Sequence, residues 1–229
     1  VLSFVGALQQ GLRQMLVQKP DTETGWTEAF HQHLFLIFGP PAIMLLAFIL
    51  DWVTLGTIFS EHCVLLPRTP EGIIGIFLSP LVHASVAHLV CNMYGWIGLA
   101  AALGLYGVAE AWKVIQQLVI GTGLIVWVCG RSFPHEGASG VEFGLIGFLL
   151  AVAYYERPLQ LRSIAVFVFV VVTYAPALFS FFPFMSWESH ICGFIVGVAV
   201  AFQRYGVVGK YAEFKLSISQ RGYGAAGLL

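Results

Sequence analysis

Residues 139–155 read SGVEFGLIGFLLAVAYY, an apolar run in which Glu142 is the single charged residue. The run has the length of a membrane-crossing helix, which needs about 17 to 25 predominantly apolar residues. Gly140, Gly144 and Gly147 share one face of such a helix, at spacings of three and four residues. Small residues on one face let two helix backbones approach closely in a membrane. The run therefore predicts a helix that packs tightly inside a membrane bundle.

The composition of the whole chain agrees with a membrane location. Of its 229 residues, 58% are hydrophobic and only 10% are charged, and the mean hydropathy is +0.83. Soluble domains carry about a quarter charged residues, so these values exclude a water-soluble enzyme. A net charge of −1 argues against a disordered chain and against a partner that is a nucleic acid. The class that remains is a polytopic membrane protein.

Six segments are predicted as membrane spans. They cover residues 34–52, 81–105, 112–130, 139–155, 163–182 and 188–205. We expect helices, because backbone polar groups in lipid must be satisfied internally and these segments lack the alternation typical of barrel strands. In the first segment, Pro40 and Pro41 suggest a late helix start or a kink. The predicted fold class is an all-α membrane protein with a six-transmembrane-helix bundle.

The basic residues orient this bundle. If both termini are cytoplasmic, only Arg68 and Arg131 of the eleven basic residues lie outside. The inside residues are Arg13, Lys19, Lys113, Arg157, Arg162, Arg204, Lys210, Lys215 and Arg221. This asymmetry follows the positive-inside rule. The sequence therefore predicts a multi-pass protein of the cell or inner membrane, with the lipid bilayer around it and with cytoplasmic N- and C-termini.

Three parts of the chain follow from the predicted spans. Residues 1–33 form an N-terminal cytoplasmic or interfacial segment, because apolar residues recur there at near-helical spacing. Residues 34–205 form the six-helix domain, and residues 206–229 form a polar cytoplasmic tail for which little order is expected. The four cysteines have no metal-like spacing, and the sequence leaves open whether Cys63 and Cys129 pair.

Polar residues collect at three places in the predicted spans, where they are costly and informative. The second span contains His83, His88 and Asn92, of which the last two share a helix face. The fourth span opens with Gly137-Ala138-Ser139-Gly140, and the sixth opens with Trp187-Glu188-Ser189-His190. In the predicted topology all three spans start from the outer side. The three clusters are therefore expected at one depth, just below the outer surface.

A serine and a histidine at one depth are the parts of a nucleophile and its general base. Ser139 needs a base to take its proton, and the pKa of a histidine such as His190 suits that task. Hydrogen-bond donors from His88 and Asn92, with the backbone N–H of Ser139, suit the oxyanion of an acyl-transfer intermediate. The pattern therefore predicts a serine hydrolase site, with interhelical hydrogen bonding as the competing interpretation of His88 and Asn92.

Other hydrolase chemistries fit the sequence less well. The dipeptide His135-Glu136 is not followed by the second histidine that an HExxH zinc site needs, so no metal is expected. The only aspartates, Asp21 and Asp51, lie before the first predicted span and at its end, which excludes an aspartyl mechanism. No cofactor is implied. Glutamates near the site leave open a third partner for His190: Glu136, Glu142 and Glu188. His135 itself is expected to be a solvated loop residue.

Glycines favour a close crossing of the fourth and sixth spans. Gly193 and Gly197 form a GxxxG pattern, and Gly193 lies on the same helix face as His190. A close crossing would bring His190 within hydrogen-bonding reach of Ser139. Phe143, one turn after Ser139, is placed to support the imidazole ring.

These three motifs, in this order, resemble those of the rhomboid family of intramembrane serine proteases. The resemblance covers roughly residues 34–205. It implies that Ser139 is the nucleophile, that His190 is the general base and that His88 and Asn92 help to form the oxyanion hole. It further implies supporting roles for residues around the dyad, which are Gly137, Phe143 and Gly193. His83 matches a histidine found in many members and is expected to be structural.

One loop departs from the family pattern. Many rhomboids carry a Trp-Arg pair before the second span, and the corresponding residues 67–72 lack it, which leaves the shape of this loop open. The resemblance implies cleavage of transmembrane protein substrates near the outer face. A catalytically idle rhomboid-like protein that binds membrane clients is the alternative, and a transporter is a more distant one. The phenylalanines at 179, 181, 182 and 184 are expected to anchor the fifth span or to form a substrate gate.

Overall fold

The computed structural model describes residues 23–155, 161–178 and 186–206, and these residues form a helical bundle. Its longer helices are α1 (Glu23–Val53), α2 (Val86–Gly104), α3 (Val108–Cys129), α4 (Ser139–Tyr155), α5 (Leu161–Leu178) and α6 (Trp187–Ala201). Short helical turns lie between α1 and α2, at Phe59–His62, Glu71–Ile73, Gly75–Leu78 and Ser79–Leu81. Within the described ranges there is no strand, only an isolated backbone bridge between Leu65 and His135. The all-α prediction is confirmed for these residues.

Three helices are long and apolar enough to cross a membrane. They are Thr27–Val53 within α1, Val86–Gly104 and Val108–Cys129. Shorter apolar helices cover Glu71–Leu81, Ser139–Tyr154 and Ile164–Thr173. Helices α4 and α6 have 17 and 15 residues, at and below the lower end of the range of about 17 to 25 residues for a membrane crossing. The six-span count therefore stays a prediction.

Helix α1 begins earlier than the sequence predicted and runs through both prolines. Its first residue is Glu23, whereas the first span was predicted to start at residue 34, and Pro40 and Pro41 lie inside the helix. Proline at position 40 has no N–H to donate to the carbonyl of Leu36. The indole Nε1–H of Trp96 donates to that carbonyl instead, at 3.2 Å. A neighbouring helix thus satisfies the group that the proline leaves free.

Helix α2 begins later than predicted. The second span was predicted to start at residue 81, but Ser85 is the N-cap and the helix starts at Val86. The Ser85 hydroxyl accepts a hydrogen bond from the backbone N–H of His88 at 3.1 Å, as serine N-caps commonly do. The prediction that His83 belongs to this helix is therefore wrong, and His83 lies in the preceding loop.

Helix α4 is the centre of the bundle, and α6 is the helix that it contacts most extensively. Helices α2, α3 and α5 also pack against α4. At the α4–α6 crossing, a Cβ on Gly193 would collide with the carbonyl oxygen of Gly140, and one on Gly197 would collide with that of Gly144. The predicted close crossing is confirmed, because only hydrogen atoms separate these backbones.

Three sequence predictions concern residues that lie outside the described ranges. They are the amphipathic pattern before residue 23, the phenylalanines of 179–184 and the tail after residue 206.

Candidate active site

Ser139 and His190 meet at the end of the α4–α6 crossing where both helices begin. Ser139 is the first residue of α4, and His190 lies in the first turn of α6. The distance between Ser139 Oγ and His190 Nε2 is 2.9 Å, within the normal range for a hydrogen bond. The glycine contacts of the two helices make this approach possible, because any larger residue there would push the backbones apart.

An aromatic ring holds the imidazole of His190 in place. The ring of Phe143 stacks on it with a centroid separation of 4.1 Å and an interplanar angle of 2°. The side chain of His190 is buried, with 7% of its surface exposed. With the ring fixed by stacking and by burial, Nε2 stays directed at Ser139.

Gly137 brings the second pair of predicted residues to the site. Its φ is +94°, a backbone conformation that favours glycine. A Cβ on Gly137 would lie 2.5 Å from Nε2 of His88 and 3.0 Å from Nδ2 of Asn92. The two side-chain nitrogens therefore converge on the backbone two residues before Ser139, where nothing larger than glycine fits.

His83 holds Asn92 by a hydrogen bond, although it lies before α2. Asn92 Nδ2 is 2.9 Å from His83 Nε2. His83 Nδ1 is 3.2 Å from the carbonyl oxygen of Leu81. A single neutral tautomer satisfies both contacts, with Nδ1–H donating to Leu81 and Nε2 accepting from the Asn92 amide. That arrangement leaves one Asn92 N–H available for another acceptor.

None of the three nearby glutamates hydrogen-bonds to His190 in the described part of the chain. Glu188 is paired with Arg131, and Glu142 directs its Oε2 towards Gly95 on α2. Glu136 lies in the linker before α4, where burial raises the pKa of its carboxyl above the usual value. Ser139 and His190 are thus a hydrogen-bonded pair, with no carboxylate bonded to the imidazole among the described residues.

His135 is a residue whose position the sequence did not predict. It was expected to be solvated, but only 3% of its surface is exposed. Its backbone N–H and carbonyl pair with the backbone of Leu65, at 2.9 and 3.0 Å. Burial lowers the pKa of its imidazole below the usual value, so the neutral ring is favoured. The only sequence signal for its buried position was that His135 stands shortly before the Gly137-Ala138-Ser139-Gly140 motif.

The loop that lacks the Trp-Arg pair has its own anchor. Arg68 donates from Nη1 to the carbonyl oxygens of Val128 and Gly130, at 3.1 and 2.7 Å. Its Nη2 donates to Ser132 Oγ at 2.8 Å. These bonds fasten the loop that contains Arg68 to the last turn of α3 and to the linker between α3 and α4.

The four cysteines all have free thiols. Cys63 is buried and Cys129 is exposed, so the possible pair that the sequence left open is absent from the structure. The burial of Cys63 raises the pKa of its thiol, which favours the protonated form.

Comparison with known proteins places these residues in a family. A family model described as the Rhomboid domain matches residues 70–206, more than half of the chain and all the residues of the site. An uncharacterized protein of Mycobacterium leprae is 28% identical over 197 residues, which cover 80% of this chain and 76% of the relative.

Two further relatives match shorter stretches. An uncharacterized protein of Mycobacterium bovis is 28% identical over 149 residues, covering 59% of this chain and 61% of the relative. The chain thus spans about three fifths of the length of that relative. The rhomboid protease GluP of Bacillus subtilis is 34% identical over 97 residues, or 42% of this chain and 19% of that protein.

Proposed function

The chain belongs to the rhomboid family, and on this premise we propose that it is an intramembrane serine protease. It would cleave transmembrane segments of membrane proteins near the outer face of the membrane. The observation that carries the proposal is the 2.9 Å contact between Ser139 Oγ and His190 Nε2 across two tightly crossed helices. A serine hydroxyl needs such a base to become a nucleophile at neutral pH.

In the proposed reaction, Ser139 Oγ attacks the carbonyl carbon of the scissile peptide bond. Its proton passes to Nε2 of His190, which accepts it because the Nδ1–H tautomer leaves a lone pair there. The stacking of Phe143 on the imidazole supports this step, since it fixes the ring plane towards the serine. The electrons of the carbonyl move to its oxygen, and a tetrahedral oxyanion results.

Side-chain nitrogens of α2 are proposed to receive that oxyanion. Nε2 of His88 and Nδ2 of Asn92 both lie beside Gly137, close to the start of α4. The backbone N–H of Ser139 would be the third donor. Losing one donor of an oxyanion hole typically costs about 3 to 4 kcal/mol of barrier. His83 would act through Asn92, because it holds the amide in a fixed orientation.

The second half of the reaction returns the proton. The imidazolium of His190 protonates the leaving amine as the C–N bond breaks, and an acyl ester on Ser139 remains. Water then attacks the ester while His190 takes a proton from it, which releases the acid and restores the hydroxyl. This sequence of steps uses no metal and no organic cofactor.

The proposal includes a topology. Residues 34–205 form a domain with six spans, flanked by the segment 1–33 and the tail 206–229, with both termini in the cytoplasm. The basic residues of the chain support this orientation through the positive-inside rule. Ser139 and His190 then lie near the outer surface, where water reaches them. A substrate helix must unwind locally to expose its peptide bond, so segments with small, helix-weak residues are the expected substrates.

The proposal is tested with purified protein in detergent and a fluorogenic transmembrane substrate. We expect cleavage by the unmodified protein and a loss of roughly 10⁴-fold or more in kcat for Ser139→Ala and for His190→Ala. The matched control is His62→Ala, since His62 is exposed at the end of the short helical turn Phe59–His62 and its loss should leave kcat unchanged. Equal cleavage by Ser139→Ala, or no cleavage across a panel of substrates, would contradict the proposal. The second result, with client binding intact, would favour the idle binding protein.

A further inference from the structure

An arginine and a glutamate join the linker before α4 to the first turn of α6. Arg131 lies in that linker, and Glu188 is the second residue of α6. Arg131 donates from Nε to Glu188 Oε1, and its Nη2 donates to Oε2 at 3.1 Å. The carboxylate therefore receives both arms of the guanidinium fork, a geometry that fixes orientation as well as distance. The guanidinium carbon also lies 5.5 Å from the ring centroid of Trp187.

The buried imidazole of His135 joins the same two segments. Its Nδ1 hydrogen-bonds to Oγ of Ser186, the residue before α6. Its Nε2 is 3.1 Å from the carbonyl oxygen of Arg131. One neutral tautomer satisfies both contacts, because Nε2–H donates to the carbonyl while Nδ1 accepts from the serine hydroxyl. Each nitrogen of this ring thus has a defined partner.

The residues that make these contacts are close in sequence to Ser139 on one helix and to His190 on the other. Ser139 follows His135 by four residues, and His190 follows Glu188 by two. The glycine contacts of α4 and α6 determine how closely the helices approach along their length. The contacts of Arg131 with Glu188 and of His135 with Ser186 instead fix the first turns of α4 and α6, where Ser139 meets His190.

We propose that Arg131, His135, Ser186 and Glu188 form an outer clamp whose task is to set the position of Ser139 relative to His190. This inference rests on the proposed protease function. The clamp residues are positioning residues, since none of their side chains hydrogen-bonds to Ser139 or His190 in the described part of the chain. Their direct link to the base is a backbone contact, in which the N–H of His190 donates to the carbonyl oxygen of Ser186 at 3.4 Å. Glu188 acts on the base through the helix backbone and through Arg131, not as a third member of the catalytic set.

Loss of a positioning clamp should change kcat more than Tm, whereas loss of ordinary structural support should lower Tm. The side chain of Arg131 is 48% accessible, whereas that of Glu188 is only 10% accessible. Solvent at Arg131 limits what the pair contributes to stability, so replacing both partners should leave Tm close to that of the unmodified protein. A single change that leaves the Glu188 carboxylate unpaired should lower Tm more. A displacement of about 1 Å between catalytic groups can nevertheless lower kcat by roughly 100-fold. The effect should fall mainly on kcat, because the clamp sets the placement of the reacting groups.

The first test reverses the charges of the pair. We expect Arg131→Glu and Glu188→Arg each to lower kcat, and the rate at which a fluorophosphonate labels Ser139, by roughly 10- to 100-fold. The double variant should recover most of the loss, because the attraction is restored with the partners exchanged. Arg131→Lys should also have a low kcat, since lysine keeps the positive charge but cannot donate two parallel hydrogen bonds to the carboxylate. Glu71→Gln is the control, because Glu71 is exposed in the short helical turn Glu71–Ile73, and this variant should behave like the unmodified protein.

The second test keeps the experiment decisive if the charge reversals fail to fold. His135→Gln retains a donor and an acceptor and should keep most of the activity, whereas His135→Leu should lower kcat by roughly 10-fold or more with little change in KM. Unchanged kcat and labelling in Arg131→Lys and His135→Leu would overturn the clamp while leaving the protease proposal intact. The clamp would also be overturned if the variants lost activity only in proportion to their loss of Tm and if His135→Gln did not restore it. No cleavage or labelling by the unmodified protein would instead contradict the protease proposal, and the clamp with it.

Discussion

The α4–α6 crossing and helix α5 are both built from apolar residues, but they are packed in different ways. At the crossing, Gly193 touches the backbone of Gly140, with no side chain between them. Helix α5 instead buries Val166 and Val170, which are 3% and 1% exposed, while 73% of Val172 is accessible. Helix α4 is the main partner of α5 among the described residues.

The contrast indicates where the bundle needs exact geometry. A backbone-to-backbone contact cannot adjust by rotating a side chain, so it fixes the separation of Ser139 and His190. A lipid-facing valine side chain has lipid on one side, which adapts to its shape, and a change there transmits little to the site. Since lipid is as apolar as the side chains, packing and not the hydrophobic effect holds such helices together. Substitutions in the two regions should therefore differ in kind as well as in size.

The largest expected effect comes from adding a methyl group at the crossing. In Gly193→Ala the new Cβ would collide with the carbonyl oxygen of Gly140, so α6 must move away from α4. We expect kcat to fall by roughly 100-fold or more and Tm to fall with it, because overpacking costs about 1 to 3 kcal/mol. Cleavage of a fluorogenic substrate and thermal unfolding in detergent measure the two quantities.

Gly104→Ala is the matched control for that substitution. Gly104 is also buried in a helix, but a Cβ there would lie 3.4 Å from its nearest neighbours, His33 and Leu36, an ordinary contact. Alanine at such a position is expected to be neutral or to stabilise by up to about 1 kcal/mol. Equal losses of activity in both variants would show that the crossing is no more demanding than the rest of the bundle.

An intermediate effect is expected from removing the ring that stacks on the base. Phe143→Ala should lower kcat by about 3- to 10-fold, since an aromatic pair contributes about 0.5 to 1.5 kcal/mol beyond its buried area. Phe143→Tyr keeps the ring and should retain most of the activity. The comparison on α5 is Phe167→Ala, where 48% of the side chain is exposed and no change in kcat is expected. An unchanged kcat in Phe143→Ala would show that the ring is not needed to hold His190 in position.

The smallest effects should appear within α5 itself. Val170→Ala leaves a cavity against α4 and should lower the free energy of unfolding by about 1 to 2 kcal/mol. Val172→Ala changes an exposed side chain and should stay within about 0.5 kcal/mol. Equilibrium unfolding in mixed micelles compares the two variants directly. Similar losses for both would mean that the exposed face of α5 is covered by something other than lipid.

The spacing of residues along the sequence predicted much of this architecture. Glycines at intervals of three and four residues predicted the close crossing of α4 and α6, because such intervals place them on one helix face. The approach of His190 to Ser139 followed from that crossing. Their catalytic roles, and those of His88 and Asn92, stay predictions until activity is measured.

Contacts between distant segments were beyond the reach of the sequence. His135 meets Ser186 across 51 residues, and Arg131 meets Glu188 across 57. Both contacts depend on how the linker before α4 folds back against the start of α6. The spacing of apolar residues does not predict the conformation of such a linker. The start of α2 was missed for a different reason. The apolar run before Ser85 continues through the cap, so hydropathy alone could not locate the first helical residue.

The central claim is that His190 activates Ser139, and covalent labelling tests it without any knowledge of the natural substrate. The purified protein is treated with a fluorophosphonate, and the modified residue is identified by mass spectrometry of its peptides. We predict a single adduct on Ser139, formed at a rate that falls by roughly 10³-fold or more in His190→Ala and is unchanged in His62→Ala. An adduct on a different residue, or labelling of Ser139 at the same rate without His190, would contradict the account.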